Sequence, residues 1–320
     1  STVALGTDGN PKTVESLVCD WRSGTPFHAV KLDLGSVTWS NHKIHTGTVK
    51  LLVSKASEPT LGAAVPSENP ILVSGEIPFK DQSLGIVSLT HYATDGSGDI
   101  HGYTVIDHEN VSFLGDEIVG GYHHITTRRP DQSVISQSKL HYSESGLPTS
   151  METGVFHAHE AEPHTRMVTD YSGVNFDARK KISHGQLSVT INNHQGKLLG
   201  KTAMTFAENN PQTAETHFFT EQGEIRSKLQ NDYAHAQFDN HNHVVNSSMH
   251  VKGIRRDGTV FSSTQTDYDG DGNPSQKVIK YYASDGKQQV SQTVMDYSKA
   301  KFDYKRKVIG GNMKVETTAS

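Results

Sequence analysis

"VTDYSGVNFDARKKISHGQLSV", Val168–Val189, and "VMDYSKAKFDYKRKVIGGNMKV", Val294–Val315, are two versions of one sentence. A third version, "NDYAHAQFDNHNHVVNSSMHV", lies midway at Asn231–Val251, which sets a repeat of about 63 residues. Tyr171, Tyr233 and Tyr297 align, as do Phe176, Phe238 and Phe302, then Asp177, Asp239 and Asp303, then Ile182, Val244 and Val308. A weaker copy starts at Asp107, with His108 in the Tyr position and Phe113 in the Phe position, and a fifth is read at "CDWRSGTPF" from Asp20. Repeats therefore start near residues 20, 107, 170, 232 and 296 of a single domain spanning 1–320.

The rest of the unit repeats as well. "HYSESGLP" at His141 matches "DYDGDGNP" at Asp267, with "FAENNP" at Phe206 in the same slot. These are turn signals, and the segments between them ("QLSVTI", "TAMTF", "THFFT", "KVIKYY") alternate as strands do. A meander that keeps its turns on the same edges needs an even number of strands per unit. Of the turn signals in each unit, "SHG" at Ser183–Gly185 is read as a bulge, which leaves four strands. The expected fold is all-β, an antiparallel meander of about five four-stranded repeats. Two arrangements fit: a β-propeller-like ring, with the N-terminal strand of residues 1–19 completing the C-terminal repeat, or an open twisted sheet.

Composition agrees with a sheet protein carrying many solvated faces. The 320 residues are 33% hydrophobic, and 35 acidic against 30 basic side chains give a net charge of -5, which makes a nucleic-acid partner unlikely. The single cysteine, Cys19, permits neither an internal disulfide nor a cysteine metal cluster. No window approaches a membrane-spanning helix, and no signal peptide is read at "STVALGTDGN".

The stretch "RRDGTVFSSTQTDYDGDGNPSQKVIKYYASDGK", Arg255–Lys287, resembles the YD repeats of Rhs-type bacterial proteins, which place a Tyr-Asp pair just before a Gly turn. The resemblance covers roughly residues 170–305, departs from the family in its longer unit, and shows no toxin or autoprotease segment. It implies a spiral β-sheet shell in a secreted bacterial toxin, and so an extracellular or periplasmic location.

Motifs for chemistry are sparse. "QGKLLGKT" misses the P-loop spacing, and "HEAEPH" places its histidines one residue too far apart, with Pro163 breaking any helix. No GxSxG is present. Asp267, Asp269, Asp271 and Asn273 form the front half of a calcium loop, although Val278 stands where the bidentate Glu belongs. His157 with His159, and His241 with His243, would each put two imidazoles on one strand face for a transition metal.

The informative slot follows the Phe-Asp pair. It holds Arg179, Lys180 and Lys181 in one copy, His241 and His243 in the next, and Lys305, Arg306 and Lys307 in the last. A second stripe is read at Arg128, Arg129, Lys197, Arg255 and Arg256. Aligned copies would turn these into basic ridges suited to a polyanion such as an acidic polysaccharide. The leading expectation is thus a non-enzymatic binding module. The alternative is a polysaccharide-degrading enzyme, either a lyase with a Tyr or His base or a metal-assisted hydrolase. A structural scaffold or toxin-shell component is the third reading.

Overall fold

Each copy of the repeat begins on an aspartate that caps its own turn. In the computed structural model, which describes residues 1–19, 26–56, 70–115, 117–239, 243–302 and 306–319, Oδ1 of Asp33, Asp107, Asp170, Asp232 and Asp296 accepts the backbone N–H two residues on, at 2.8 or 2.9 Å. Asx capping of this kind gives the chain a reason to leave a strand at the first four; at Asp296 the strand Gln289–Phe302 runs on, and its register against Val308–Ala319 shifts between Asp296 and Lys299. The first copy is thus anchored at Asp33. Asp20, where the sequence suggests its start, lies outside the described residues. Leu34 takes the Tyr position there: its carbonyl accepts the N–H of Val37, as those of His108, Tyr171 and Tyr233 accept from Val111, Val174 and Ala236.

After the aspartate a short flap folds back on the next long strand. Thr38–Ser40 lies on Lys43–Lys55, Val111–Leu114 on Glu117–Arg128, and Val174–Phe176 on Ile182–Asn193; Gln237–Phe238 pairs with Val244–Val245. Three more long strands complete a unit, as in Leu198–Ala207, Asn210–Phe219 and Ile225–Asp232. Four long strands per repeat is the even number the sequence requires, and Ser183–Gly185 sits inside the strand Ile182–Asn193. Gly185 has φ 104 there, and a Cβ on it would strike the carbonyl oxygen of Gly173 in the flap. Only glycine fits a left-handed residue under so close a backbone. Gly121 stands in the same relation to Asn110.

The chain divides into two compact units, Ser1–His164 and Thr165–Ser320. In the first, Thr2–Leu5, Pro11–Cys19, Pro26–Asp33, Lys43–Lys55, Ile71–Lys80, Val87–Tyr92, Ile100–Asp107, Glu117–Arg128, Val134–Tyr142 and Pro148–Val155 pair in that order, all antiparallel. In the second, Thr165–Asp170, Ile182–Asn193, Leu198–Ala207, Asn210–Phe219, Ile225–Asp232, Ser248–Arg255, Val260–Tyr268, Pro274–Tyr282, Gln289–Phe302 and Val308–Ala319 do the same. Among the described residues Thr2–Leu5 pairs only with Pro11–Cys19, and Val308–Ala319 only with Gln289–Phe302. Each of these end strands is thus paired along one side only, as the open arrangement expects.

Turn chemistry sets these registers. In Ser143–Leu147, Asn193–Lys197, Thr220–Glu224, Arg255–Thr259 and Asp269–Asn273, the first N–H donates to the fifth carbonyl, and a left-handed glycine donates back to the first carbonyl. "ENNP" instead turns on Glu208 and Asn209, both at positive φ, a two-residue hairpin turn. The core is thin. Among the described residues no side chain is fully buried, and the small cluster Leu34, Val37 and Val49 is flanked by Val14, Leu32, Trp39, Ile44, Ile77 and Phe79. The chain exposes 19010 Å², against roughly 13,000 Å² for a compact monomer of its mass.

Candidate functional site

The slot after Phe-Asp is a five-residue hairpin tip built by its aspartate. Asp177 Oδ1 accepts the N–H groups of Arg179 and Lys181, both at 2.9 Å, and Asn209 Nδ2 donates to Oδ2 at 2.5 Å. These donors, that of Lys181 foremost, hold the Asp177 carboxyl below the usual range. Asp239 repeats the arrangement with His243 N–H at 2.9 Å. Above each tip lies an aromatic clasp: Tyr171–Phe176, Tyr233–Phe238 and Tyr297–Phe302, with ring centroids 6.4, 6.3 and 6.3 Å apart. All three phenylalanines are half-buried.

At the tip, Arg179, Lys180 and Lys181 are exposed. Lys180 has φ 59 and Arg306 φ 60, the left-handed position that sister turns give to glycine. For a residue with a Cβ this costs about 1–2 kcal/mol. Arg306 has partners that offset the cost: its Nη2 lies 3.8 Å from Asp239 Oδ2 and donates to the Asp271 carbonyl at 3.4 Å. His243 Nδ1 faces the same Asp239 oxygen at 3.2 Å. Lys307 is exposed, while His241 and Lys305 lie outside the described residues. The slot therefore holds two kinds of basic side chain: exposed at Arg179 and Lys180, and engaged with Asp239 at His243 and Arg306.

The second stripe is largely structural. Arg129 donates to the carbonyls of Val134 at 2.6 Å and Phe156 at 3.1 Å, and Arg255 donates to those of Val260 at 3.1 Å, Tyr282 at 3.1 Å and Ala283 at 3.2 Å. Each guanidinium thus staples its own turn to the next hairpin. Arg128 donates to the Gln132 carbonyl at 3.0 Å, and Arg256 pairs with both oxygens of Glu224.

Neither metal set assembles. Among the described residues no three His, Cys, Asp or Glu side chains converge on a point that could hold an ion. Asp269 Oδ1 is taken by the N–H groups of Asp271 and Asn273, and Asp267 Oδ1 by Gln265 Nε2. Asn273 is buried with its amide turned to Asp269 Oδ2 at 3.3 Å. His157 and His159 are not on a strand, contrary to the sequence expectation. They follow Pro148–Val155 in a turn, where His159 has φ 64 and faces Asp131 Oδ2 at 3.5 Å, and His157 stacks on His164 with centroids 4.1 Å apart.

A constellation that sequence reading missed is His108, His123 and Tyr142. His123 Nδ1 bonds the Tyr142 hydroxyl at 2.9 Å, and His108 stands edge-on to His123 with centroids 4.4 Å apart. His108 Nδ1 and His123 Nε2 are buried with no hydrogen-bond partner among the described residues. Burial pushes both imidazoles below their ordinary pKa, and for His123 the neighbouring His108 adds to it. The one signal in the sequence was His108 standing where other copies have Tyr. An open concavity of about 590 Å³ on the first unit is lined by Lys31, Asp33, Lys50, Ser74, Glu76 and Thr90, with charges of alternating sign.

No protein-family model and no curated protein matches the chain. Similar solved structures come from Tc toxins. In "Crystal Structure of TcdB2-TccC3-Cdc42" the match has 11% identity over 91% of this chain and 16% of that one, with a TM-score of 0.17. In "Structure of Photorhabdus luminescens Tc holotoxin pore, Mutation TccC3-D651A" it has 9% identity over 90% and 18%, with a TM-score of 0.16. The protein spans under a fifth of either neighbour. These are weak likenesses. No helix among the described residues is long and apolar enough to cross a membrane.

Proposed function

We propose that the protein is a non-enzymatic β-repeat module that binds an extended anionic partner, an acidic polysaccharide in the first instance, with its basic hairpin tips among the contacts. The observation that carries this reading is Lys180. It keeps a left-handed backbone where sister turns use glycine, without, among the described residues, an internal contact like those that engage Arg306. Strain of this kind is retained where a side chain has work outside the fold. The test is binding of a sulfated uronate polymer to R179E/K180E; unchanged affinity would sink the tip assignment. Turnover of uronate polymers to unsaturated products would instead favour the enzyme reading.

A second reading, a structural scaffold or shell component, is favoured by the thin core and the large exposed area. Sheets in which the backbone ladder does most of the holding suit walls better than catalytic clefts, which need desolvated, convergent groups. Absence of both polyanion binding and turnover would favour it.

A further inference from the structure

Strand register assembles a basic field on one sheet face of the second unit that no linear motif shows. Residues directly opposite each other in adjacent strands share a face. One row of partners runs Thr190, Lys201, His217, Lys228, Ile254. Another row, on the same face two residues along each strand, runs Ser188, Ala203, Glu215, Gln230, Lys252, Ser263, Lys280, Gln292. Four lysines occupy these two rows against one carboxylate, and none has a carboxylate directly across from it.

That carboxylate is already engaged. Glu215 accepts from Gln230 Nε2 at 2.7 Å and bonds His217 Nε2, with Lys228 Nζ 3.8 Å away. The Gln230 and His217 contacts hold its carboxyl below the usual range, so it stays ionised and saturated. Lys201, Lys252 and Lys280 make no ion pair among the described residues. The first unit handles the same problem differently: Asp33, Lys50 and Glu76 are successive cross-strand partners, so each charge is answered by its neighbour, and Lys31 meets Glu15 at 2.9 Å. On this face Lys201, Lys252 and Lys280 are answered by no carboxylate directly across the strand, so a polyanion arriving from outside meets them unneutralised.

We infer that this face of the second unit is a binding surface for a sulfated or uronate-bearing polysaccharide, contacted by Lys201, Lys228, Lys252 and Lys280. Adjacent strands lie about 4.8 Å apart, so the four ammonium groups spread across the sheet rather than along one strand, and a polymer crossing the strands meets them in turn. Gln230, Ser263 and Gln292 in the same row supply neutral hydrogen bonds for sugar hydroxyls. The two rows contain no Phe, Tyr or Trp on which a nucleic-acid base could stack, and their one ring, His217, is engaged by Glu215, which favours a saccharide over single-stranded DNA.

The inference rests on the polyanion reading but on a different surface from the hairpin tips, so the two are tested apart. Binding of heparin, dextran sulfate and single-stranded DNA to the full chain is measured by calorimetry at two salt concentrations. K201Q/K228Q/K252Q/K280Q is expected to lose at least 30-fold in heparin affinity and most of its salt dependence, and the corresponding Lys→Arg variant to restore both. R179Q/K180Q, which alters the tips alone, is expected to lose about 3- to 10-fold, a smaller share of the same binding. Wild-type-like binding by the quadruple variant overturns the inference; if R179Q/K180Q then carries the loss, the tip reading survives alone. Equal or tighter binding of DNA overturns the polysaccharide assignment, and no binding of any polyanion by the wild type overturns both readings. Should the quadruple variant unfold, K252Q, an exposed single change, must still cost at least 3-fold.

Discussion

In the copy beginning at Asp107 the flap is closed by His108, edge-on to His123 and through it joined to Tyr142; in the copy beginning at Asp232 it is closed by Tyr233, packed on Phe238. The backbone of the two flaps starts alike, with the carbonyl of His108 or Tyr233 accepting the N–H three residues on. What differs is how the clasp answers to protons. Burial disfavours imidazolium at His108 and His123, and it disfavours phenolate at Tyr233 and Tyr268, where Tyr233 adds to the effect on Tyr268. One clasp is thereby weakened by acid and the other by alkali, on scaffolds of the same plan.

The largest effect should come from the feature the copies share. Valine at Gly121 or Gly185 places a Cβ against the flap backbone at positive φ, and each change is expected to cost about 3 kcal/mol or more in urea denaturation. A marked inequality between the two would break the equivalence of the copies. Next are the staples: Arg255→Ala strips three carbonyls of a charged donor and Arg129→Ala two, and a loss of about 2 kcal/mol is expected for each.

The clasps themselves separate by pH. Below the ordinary histidine value of 6.5 the unfolded chain takes up protons that His108 and His123 refuse in the fold, so stability is full above 6.5 and falls as pH drops through the lowered folded values. Tyr233 and Tyr268 act in the opposite sense: their contribution is full below 10 and is lost as pH rises through the raised folded values. Hydrogen exchange should show residues 108–124 losing protection first in acid, and H108Y should remove that loss. Acid exchange unchanged by H108Y would show that the histidine pair is not the labile element.

The smallest effect is at the tips. Lys180→Gly relieves a left-handed residue and is expected to stabilise by about 0.5 kcal/mol. Arg306→Gly relieves the same backbone but loses Asp239 and the Asp271 carbonyl, so its melting temperature should fall.

The four-stranded repeat was legible because its turns are written in Gly, Asn and Asp at fixed offsets, and left-handed backbone leaves few other choices. The first copy was harder to place because Leu34 and Trp39 stand in for Tyr and Phe, so the anchor at Asp33 carries none of the expected letters. The His157–His159 pair was read as strand because alternation alone cannot show that pairing stops at Val155. Arg129 and Arg255 look like surface charge in sequence, since nothing local reveals carbonyls presented by the next hairpin. The lysine rows needed the register of eight adjacent strands, and register is a property of pairs, not of any one segment.

The scarcity of buried apolar side chains also has a calorimetric signature. Heat-capacity change on unfolding scales with the apolar surface newly exposed to water, and here much of that surface is wet already. The increment should fall well below the ordinary ~12–15 cal/mol/K per residue. Its stability curve would then be broad and shallow, with cold costing little, and with heat taking the repeats apart as neighbours lose one another.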